Sequence, residues 1–435
     1  MGVPLPMKPS ILALTLIWAA AAPGQRPEVT RPRQTSGDQR VQPQWQEGLR
    51  LTVGNRDADL VGADQRVLQA AVDMLANLGG GEVCIKAGTY RLRNAVHLRS
   101  GVHLRGEGEA TRLIKEPSIT VALEEDSDWY DQEITLADAS GFRVGDGVCL
   151  RARDPVTGRQ TVLKRTLVAR SGARFKLDKA LRENLWTIHG ANCSSSFALL
   201  DGEFVEDVRI ENLSLDGNRG QNAELDGNYA GGIFLQDCNR VQMRRLWVRN
   251  YPGDGISWQI SHDVLVEDCV LENHRNLALH PGSGSQRPII RRNVLRGSDI
   301  GLFFCWGVKY GLAQDNQIEG NRVGISIGHR DTDNLVTGNA VAASKAQGLL
   351  FRPERGASFA GHRNRIIGNR FLNNAGHGNA VVEVQGGTQD ILIANNEFAE
   401  QRRGVRTQAV KIGPEAKAIA LEGNRSTGAV QLTEP

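Results

Sequence analysis

The sequence predicts an all-β protein wound as a parallel β-helix, with a helical cap at its N-terminal end and a small β subdomain inserted before the main body. Three observations predict it. Small residues that open a short apolar strand recur at Gly232, Gly255, Ala278, Gly301, Gly324 and Gly348, separated by 23, 23, 23, 23 and 24 residues. A second register runs through Cys269, Asn293, Asn316, Asn339, Asn369 and Asn396, at separations of 24, 23, 23, 30 and 27. The 435 residues include 49 glycines and only 5% aromatics, a balance that suits tight turns and short strands. A constant period in the low twenties holds two or three short strands and no long helix, so each repeat is one coil of a solenoid. The Leu-x-x-Leu-x-Leu signature of a leucine-rich repeat is missing, and a propeller blade needs about 40 residues.

The elements follow in order. Residues 1–24 read as a cleaved secretory signal: Lys8 supplies the basic start, and Ile11 to Ala22 is an apolar run too short to span a bilayer. The expected location is therefore secreted or periplasmic, with no membrane association after cleavage. Residues 25–48 are polar and proline-containing, a disordered linker. Residues 49–118 form the cap and first coils. There Val67, Leu68, Ala71, Val72 and Leu75 recur at helical spacing, Gly79 to Gly81 end the helix, and short strands follow. Such a cap hides the end of a stack of strands. Residues 119–200 alternate as strands with glycine turns outside the period, and are read as the inserted subdomain. Residues 201–430 are the coils.

Composition excludes several classes. A net charge of +3 gives no argument for nucleic acid. Six cysteines in so long a chain are no disulfide framework, and none has the paired spacing of a zinc site, so most are expected as buried small hydrophobes. No metal site is identified; a bound calcium is compatible with the sequence but nothing in it demands one.

Strand alternation separates inside from outside. Ile233, Ile256, Leu279, Leu302, Ile325 and Leu349 form one inward column, and Leu235, Trp258, Pro281, Phe304, Ile327 and Phe351 a second. The outward columns hold Phe234, Ser257, His280, Phe303, Ser326 and Leu350, then Gln236, Gln259, Gly282, Cys305, Gly328 and Arg352. Beyond the strand come Trp306, Lys309, His329, Arg330, Asp331, Glu354 and Arg355. Residues 23 apart stack, which sets Trp306 against His329 and gathers charge on one face over about four coils, a groove of about 15–20 Å. The asparagines fall at one bend, where each amide can bond its neighbours above and below.

The helix with "GGGEVCIKAGTY", the coil repeat and the asparagine register resemble the pectin-lyase-like right-handed parallel β-helix superfamily over roughly residues 50–430. The resemblance implies that fold and a polysaccharide partner, an acidic one given the cations on the groove. It does not carry a catalytic set across. "GDGI" keeps one aspartate, Asp254, in a setting similar to the polygalacturonases. The next coil lacks their aspartate pair, Val323 stands where their histidine would, and neither Arg-Ile-Lys nor the calcium-binding aspartates of pectate lyases are present.

The residues themselves suggest β-elimination. Removing the C5 proton of a uronate needs a base and a cation that neutralises the carboxylate. His329, as first choice, and His280 are candidate bases; Lys309, Arg330 and Arg352 are candidate neutralisers; Asp331 or Asp333 can orient a histidine; Trp306 and Gln259 can contact sugar. A hydrolase, which needs two carboxyls flanking the scissile bond, is the alternative, through Asp254, Asp331, Asp333 or Asp237. A non-catalytic glycan-binding or surface protein is the third reading. The oligomeric state is not legible.

Overall fold

The computed structural model describes residues 47–432. The expected signal segment and nearly all of the linker lie outside the described residues. Three long parallel sheets of 13, 11 and 11 strands run the length of the coils, and each coil adds one short strand to each sheet. The sheet that matters most here, called the site sheet, includes Leu200–Glu203, Ile233–Gln236, Ile256–Gln259, Leu277–Pro281, Ile300–Phe303, Val323–Ile327 and Gln347–Phe351.

The register is the one the period dictates. Ile233 pairs with Ile256, Ile256 with Leu279, Leu279 with Leu302, Leu302 with Ile325, and Ile325 with Leu349. All six are fully buried. Burying an aliphatic side chain of this size contributes about 1.5–3 kcal/mol, so the column is a continuous apolar spine. The second inward column is buried too, Trp258, Phe304, Ile327 and Phe351 among it.

The asparagine register is a hydrogen-bonded ladder. Asn293 donates from N and Nδ2 to Asn316 Oδ1, both at 3.0 Å. The pattern repeats from Asn316 to Asn339, Asn339 to Asn369 and Asn369 to Asn396, and extends to Asn424. Cys269 ends the ladder at its other end, donating from N to Asn293 Oδ1 at 3.0 Å. Each amide thereby satisfies a bend where the backbone leaves one sheet for the next and its N–H groups would otherwise be buried unpaired.

The cap helix is Gln65–Asn77, with Asp64 accepting from Arg66 N at its start. Leu68, Ala71, Val72 and Leu75 face the core. Gly79, Gly80 and Gly81 all have positive φ, and a Cβ on Gly80 would meet the Gly101 carbonyl, so the helix ends there on steric grounds. The inserted subdomain is a six-stranded sheet built from strands between Thr120 and Ser194, with antiparallel pairing throughout. It has its own core around Leu150, Phe142 and Phe175. The coils close ranks behind it: Leu200–Glu203 pairs with Val96–His97 on one side and Ile233–Gln236 on the other. All six cysteines are free thiols, and Cys149, Cys193, Cys238 and Cys269 are buried. Among the described residues no helix is long and apolar enough to cross a membrane.

Candidate functional site

The outward face of the site sheet carries two polar clusters, one on each side of Phe303. Phe234 pairs with Ser257 and Ser257 with His280, then Phe303 with Ser326 and Ser326 with Leu350. The His280 and Phe303 rings meet edge to face, 5.3 Å between centroids, and the Arg352 guanidinium lies 4.4 Å over Phe303 from the other side.

The first cluster is a dyad. His280 Nδ1 lies 2.8 Å from Asp254 Oδ2, and Asp254 Oδ1 accepts from Leu277 N at 3.2 Å. Burial pushes the Asp254 carboxyl above its usual range, with His280 pulling the other way. Ser257 Oγ donates to the Gly227 carbonyl at 2.5 Å, and Gln259 Nε2 donates to Ser257 Oγ at 3.2 Å. The loop 222–231 therefore sits directly over the dyad. A Cβ on Gly227 would collide with Asp254 Oδ2, so only glycine allows this approach. His280, expected in an open groove, keeps only 5% of its surface. The pleat points it outward, but the loop covers it. Ser257 and Asp254 both meet its Nδ1, and among the described residues none hydrogen-bonds its Nε2.

The second cluster centres on Arg352. Its Nη1 donates to Ser326 Oγ at 2.8 Å and its Nη2 to the Phe304 carbonyl at 2.8 Å; Nη2 is 3.3 Å from Asp331 Oδ2, and Nε 3.3 Å from Glu354 Oε1. Arg352 is thus hydrogen-bonded to protein groups at both terminal nitrogens, while its Nε meets Glu354 as an ion pair without a hydrogen bond. Glu354 also holds His329, accepting from its backbone N at 2.8 Å and lying 3.0 Å from its Nε2. The ring stacks on Trp306 at 4.8 Å with a 32° tilt, and its Nδ1 is 3.8 Å from Cys305 Sγ. Burial lowers the His329 pKa, Glu354 opposes this, and Arg352 and Arg355 add to it. Burial pushes the Cys305 thiol up to about 12.

Asp331 is not on the groove surface. It is fully buried in the turn column that elsewhere holds Ser261 and Ser285, accepting from Val308 N and Gly328 N at 2.9 Å each. Burial pushes its carboxyl up to about 7. Asp333 belongs to a different corner. It has positive φ and a two-point ion pair with Arg363 at 2.7 and 2.9 Å, in line with Asp207–Arg240 and Asp263–Arg287. Burial raises the Asp333 carboxyl, and Arg363, Thr332 and Lys309 more than reverse it. Lys309 lies in the next turn, bridged by backbone to Gln286 and Thr332. Arg330 turns outward over the Phe359 ring at 4.1 Å, and Arg355 lies over both Phe359 and Trp306. Among the described residues Lys309, Arg330 and Arg355 have no carboxylate partner within ion-pair distance. Trp306 is 43% exposed at this rim.

The sequence places Glu354 on this face without giving it a role, and does not single out Gly227. Glu354 lies beyond the coil, where the widening loops blur the register. Gly227 lies before the first aligned strand, and no periodic signal marks it. Among the described residues, no group of three or more His, Cys, Asp or Glu is disposed to hold a metal ion.

Comparisons with known proteins agree with this architecture. Residues 231–398 match the family model described as "Right handed beta helix region". PfbA, a surface adhesin of Streptococcus pneumoniae, is similar in structure at 13% identity, covering 88% of this chain and 91% of that one, with a TM-score of 0.54. The tailspike gp61 of Pseudomonas phage phi297 gives 15% identity, 83% and 68% coverage and a TM-score of 0.49. An alginate lyase from Paenibacillus sp. str. FPU-7 gives 12%, 88% and 99%, and 0.47. No curated protein matches. At these identities the likeness concerns the fold, and with the strand register and the matched region it makes the chain a right-handed parallel β-helix protein.

Proposed function

We propose that this protein acts on a polysaccharide, an acidic one, by β-elimination on the outward face of the site sheet, and that it does so outside the cytoplasm. The observation that carries the reading is the His280–Asp254 dyad. A carboxylate on Nδ1 fixes the imidazole tautomer and orientation, leaving Nε2 as the acceptor. That is the state a general base needs. His329 has both ring nitrogens beside protein groups, at Glu354 and Cys305. We therefore place the base at His280 and give His329 the task of supporting Trp306.

The remaining roles follow from charge and exposure. Among the described residues Arg330, Arg355 and Lys309 are cations without carboxylate partners, suited to a uronate. Trp306 offers an exposed ring face beside them. Arg352 is locked between Asp331 and Glu354 and holds the cluster together. Gly227 lies against Asp254 Oδ2 and His280 Nδ1, so the loop 222–231 closes the carboxylate side of the dyad.

A glycoside hydrolase is the second reading. Its specific support is Asp331, a carboxyl held protonated to about pH 7, with Glu354 sharing the same arginine. Its difficulty is that Asp331 has no exposed surface. The test is incubation with uronate polymers while following both ultraviolet absorbance and new reducing ends. Elimination leaves a conjugated unsaturated sugar and raises both. Reducing ends alone select the hydrolase. Binding with neither signal selects a glycan-binding protein. The same assay with a chelator reports whether calcium takes part.

A further inference from the structure

The outward columns of the site sheet do not begin at Phe234. The coil before it places Asp201 in line with Phe234 and Glu203 in line with Gln236, and the coil before that places His97 in line with Asp201. Over these residues passes the long inserted strand Gln160–Ser171. Between floor and roof lies a cavity of about 460 Å³, whose walls also include Tyr229 and Gln236. The roof is fastened: Arg93 makes a two-point ion pair with Asp146 at 2.7 and 2.6 Å, and Asn94 Nδ2 donates to Thr166 Oγ1 at 3.0 Å.

The lining mixes apolar side chains, Leu98, Val162 and Phe197 among them, with polar and charged ones. His97 Nδ1 lies 2.6 Å from Asp201 Oδ1, with the imidazole side chain 47% exposed. Burial pulls the His97 pKa down, but the hydrogen bond and charge of Asp201 more than offset it, and it rises. Lys164 Nζ lies 2.9 Å from Glu203 Oε1 and 4.2 Å over the Phe234 ring. The Arg165 guanidinium is held by the carbonyls of Lys164, Lys179, Ala180 and Leu181, with no carboxylate in ion-pair contact. A junction that served only to seat the insert would be apolar, because withdrawing charges from water is costly. Here paired charges and an open imidazole line a space of ligand size, about 300–1,000 Å³ being usual.

We propose that this cavity is a second carbohydrate site, separate from the His280 dyad, which takes the end of a glycan chain. Sugar hydroxyls both donate and accept. Asp201 and Glu203 offer acceptors, Lys164 and Gln236 offer donors, His97 Nε2 is open, and Tyr229 offers a ring. The strand Gln160–Ser171 passes over one side of the cavity, which suits it to the end of a chain more than to a continuous run of sugars. Asp201 lies three coils from His280, about 14 Å at sheet spacing, and His97 one coil farther. The loop 222–231 divides the two, with Tyr229 on the cavity side and Gly227 on the dyad. The choice of carbohydrate as ligand rests on the polysaccharide reading above; the cavity and its lining do not.

The experiment is calorimetric titration of the full protein with two probes, cellotriose and trigalacturonate. Wild type is compared with His97→Ala, Gln236→Trp and Trp306→Ala, each checked for an unchanged melting profile. At least one trisaccharide is expected to bind. His97→Ala should weaken it about tenfold, the size expected for one lost polar contact. Gln236→Trp, which fills the cavity without removing the His97–Asp201 pair, should abolish a binding event that Trp306→Ala, which weakens the groove alone, retains. Binding that is lost in Trp306→Ala and indifferent to both cavity variants overturns the second site and leaves the polysaccharide reading intact. So does wild type that degrades polymer yet binds neither trisaccharide. Protein that neither binds a trisaccharide nor attacks any polymer overturns both.

Discussion

Replacing Asn316 by alanine tests the physical basis of the stack. Asn316 has no exposed surface, and its side chain makes four hydrogen bonds. Oδ1 accepts from Asn293 N and Nδ2 at 3.0 Å each, and Nδ2 donates to Ile290 O at 3.0 Å and Asn339 Oδ1 at 2.8 Å. Truncation does not orphan all of these partners. Asn339 Oδ1 keeps the Asn316 backbone N at 2.9 Å, and Asn293 Nδ2 keeps Val266 O at 2.9 Å. The Asn293 N–H is left buried without a partner, and Ile290 O loses one. At about 1–3 kcal/mol for each such group, the expected loss is about 2–6 kcal/mol. That is a large part of the ~5–15 kcal/mol that typically holds a domain. The assay is urea unfolding followed by circular dichroism, with Asp333→Asn as control, since asparagine tolerates the positive φ at that position. That control breaks a partly exposed pair with Arg363 and should cost at most about 1 kcal/mol. A loss in Asn316→Ala no greater than in the control would refute the reasoning that the ladder is a stabilising element.

Other outcomes are expected from the same structure. Gly227→Ala should keep the fold but lower turnover, because the added methyl meets Asp254 Oδ2 and displaces the loop and dyad together; near-ultraviolet circular dichroism and product formation read the two effects. Asp331→Asn should change the pH dependence of stability. The folded carboxyl titrates at about 7 and the free group at 3.8, so the folded state alone holds the proton between them. Wild type therefore loses stability as pH rises across that window, whereas the variant should show no such decline, measured by melting temperature in a buffer series. Trp306→Ala should raise KM with little change in kcat, by about tenfold or less if one ring face contributes about 0.5–1.5 kcal/mol. Equal falls in kcat would place Trp306 in the chemistry instead.

The coil body was legible in the sequence because every coil repeats the same two constraints. The inward columns must be aliphatic, and one bend must satisfy its buried backbone groups. Six small residues and six ladder positions therefore set the register before any coordinates. The site was legible only where it shares that register, as with Trp306 against His329. What the period does not govern was missed. Cover over His280 comes from the loop 222–231, whose contact with the dyad is made through a glycine and a backbone carbonyl. Asp331 and Asp333, two residues apart, go to different fates because the turn places one in an inner column and the other at an outer corner with positive φ. Glu354 binds His329 from a coil that has already left the 23-residue spacing. Alternation predicts which way a side chain points, but not what a neighbouring loop lays over it.

The measurement that bears most directly on the account is the turnover of His280→Gln on an acidic polymer, compared with wild type at matched binding. Loss of a positioned general base should lower kcat by about 10²–10⁴-fold while substrate still binds. Unaltered kcat in a well-folded His280→Gln protein would contradict the account, and would move the chemistry off the dyad.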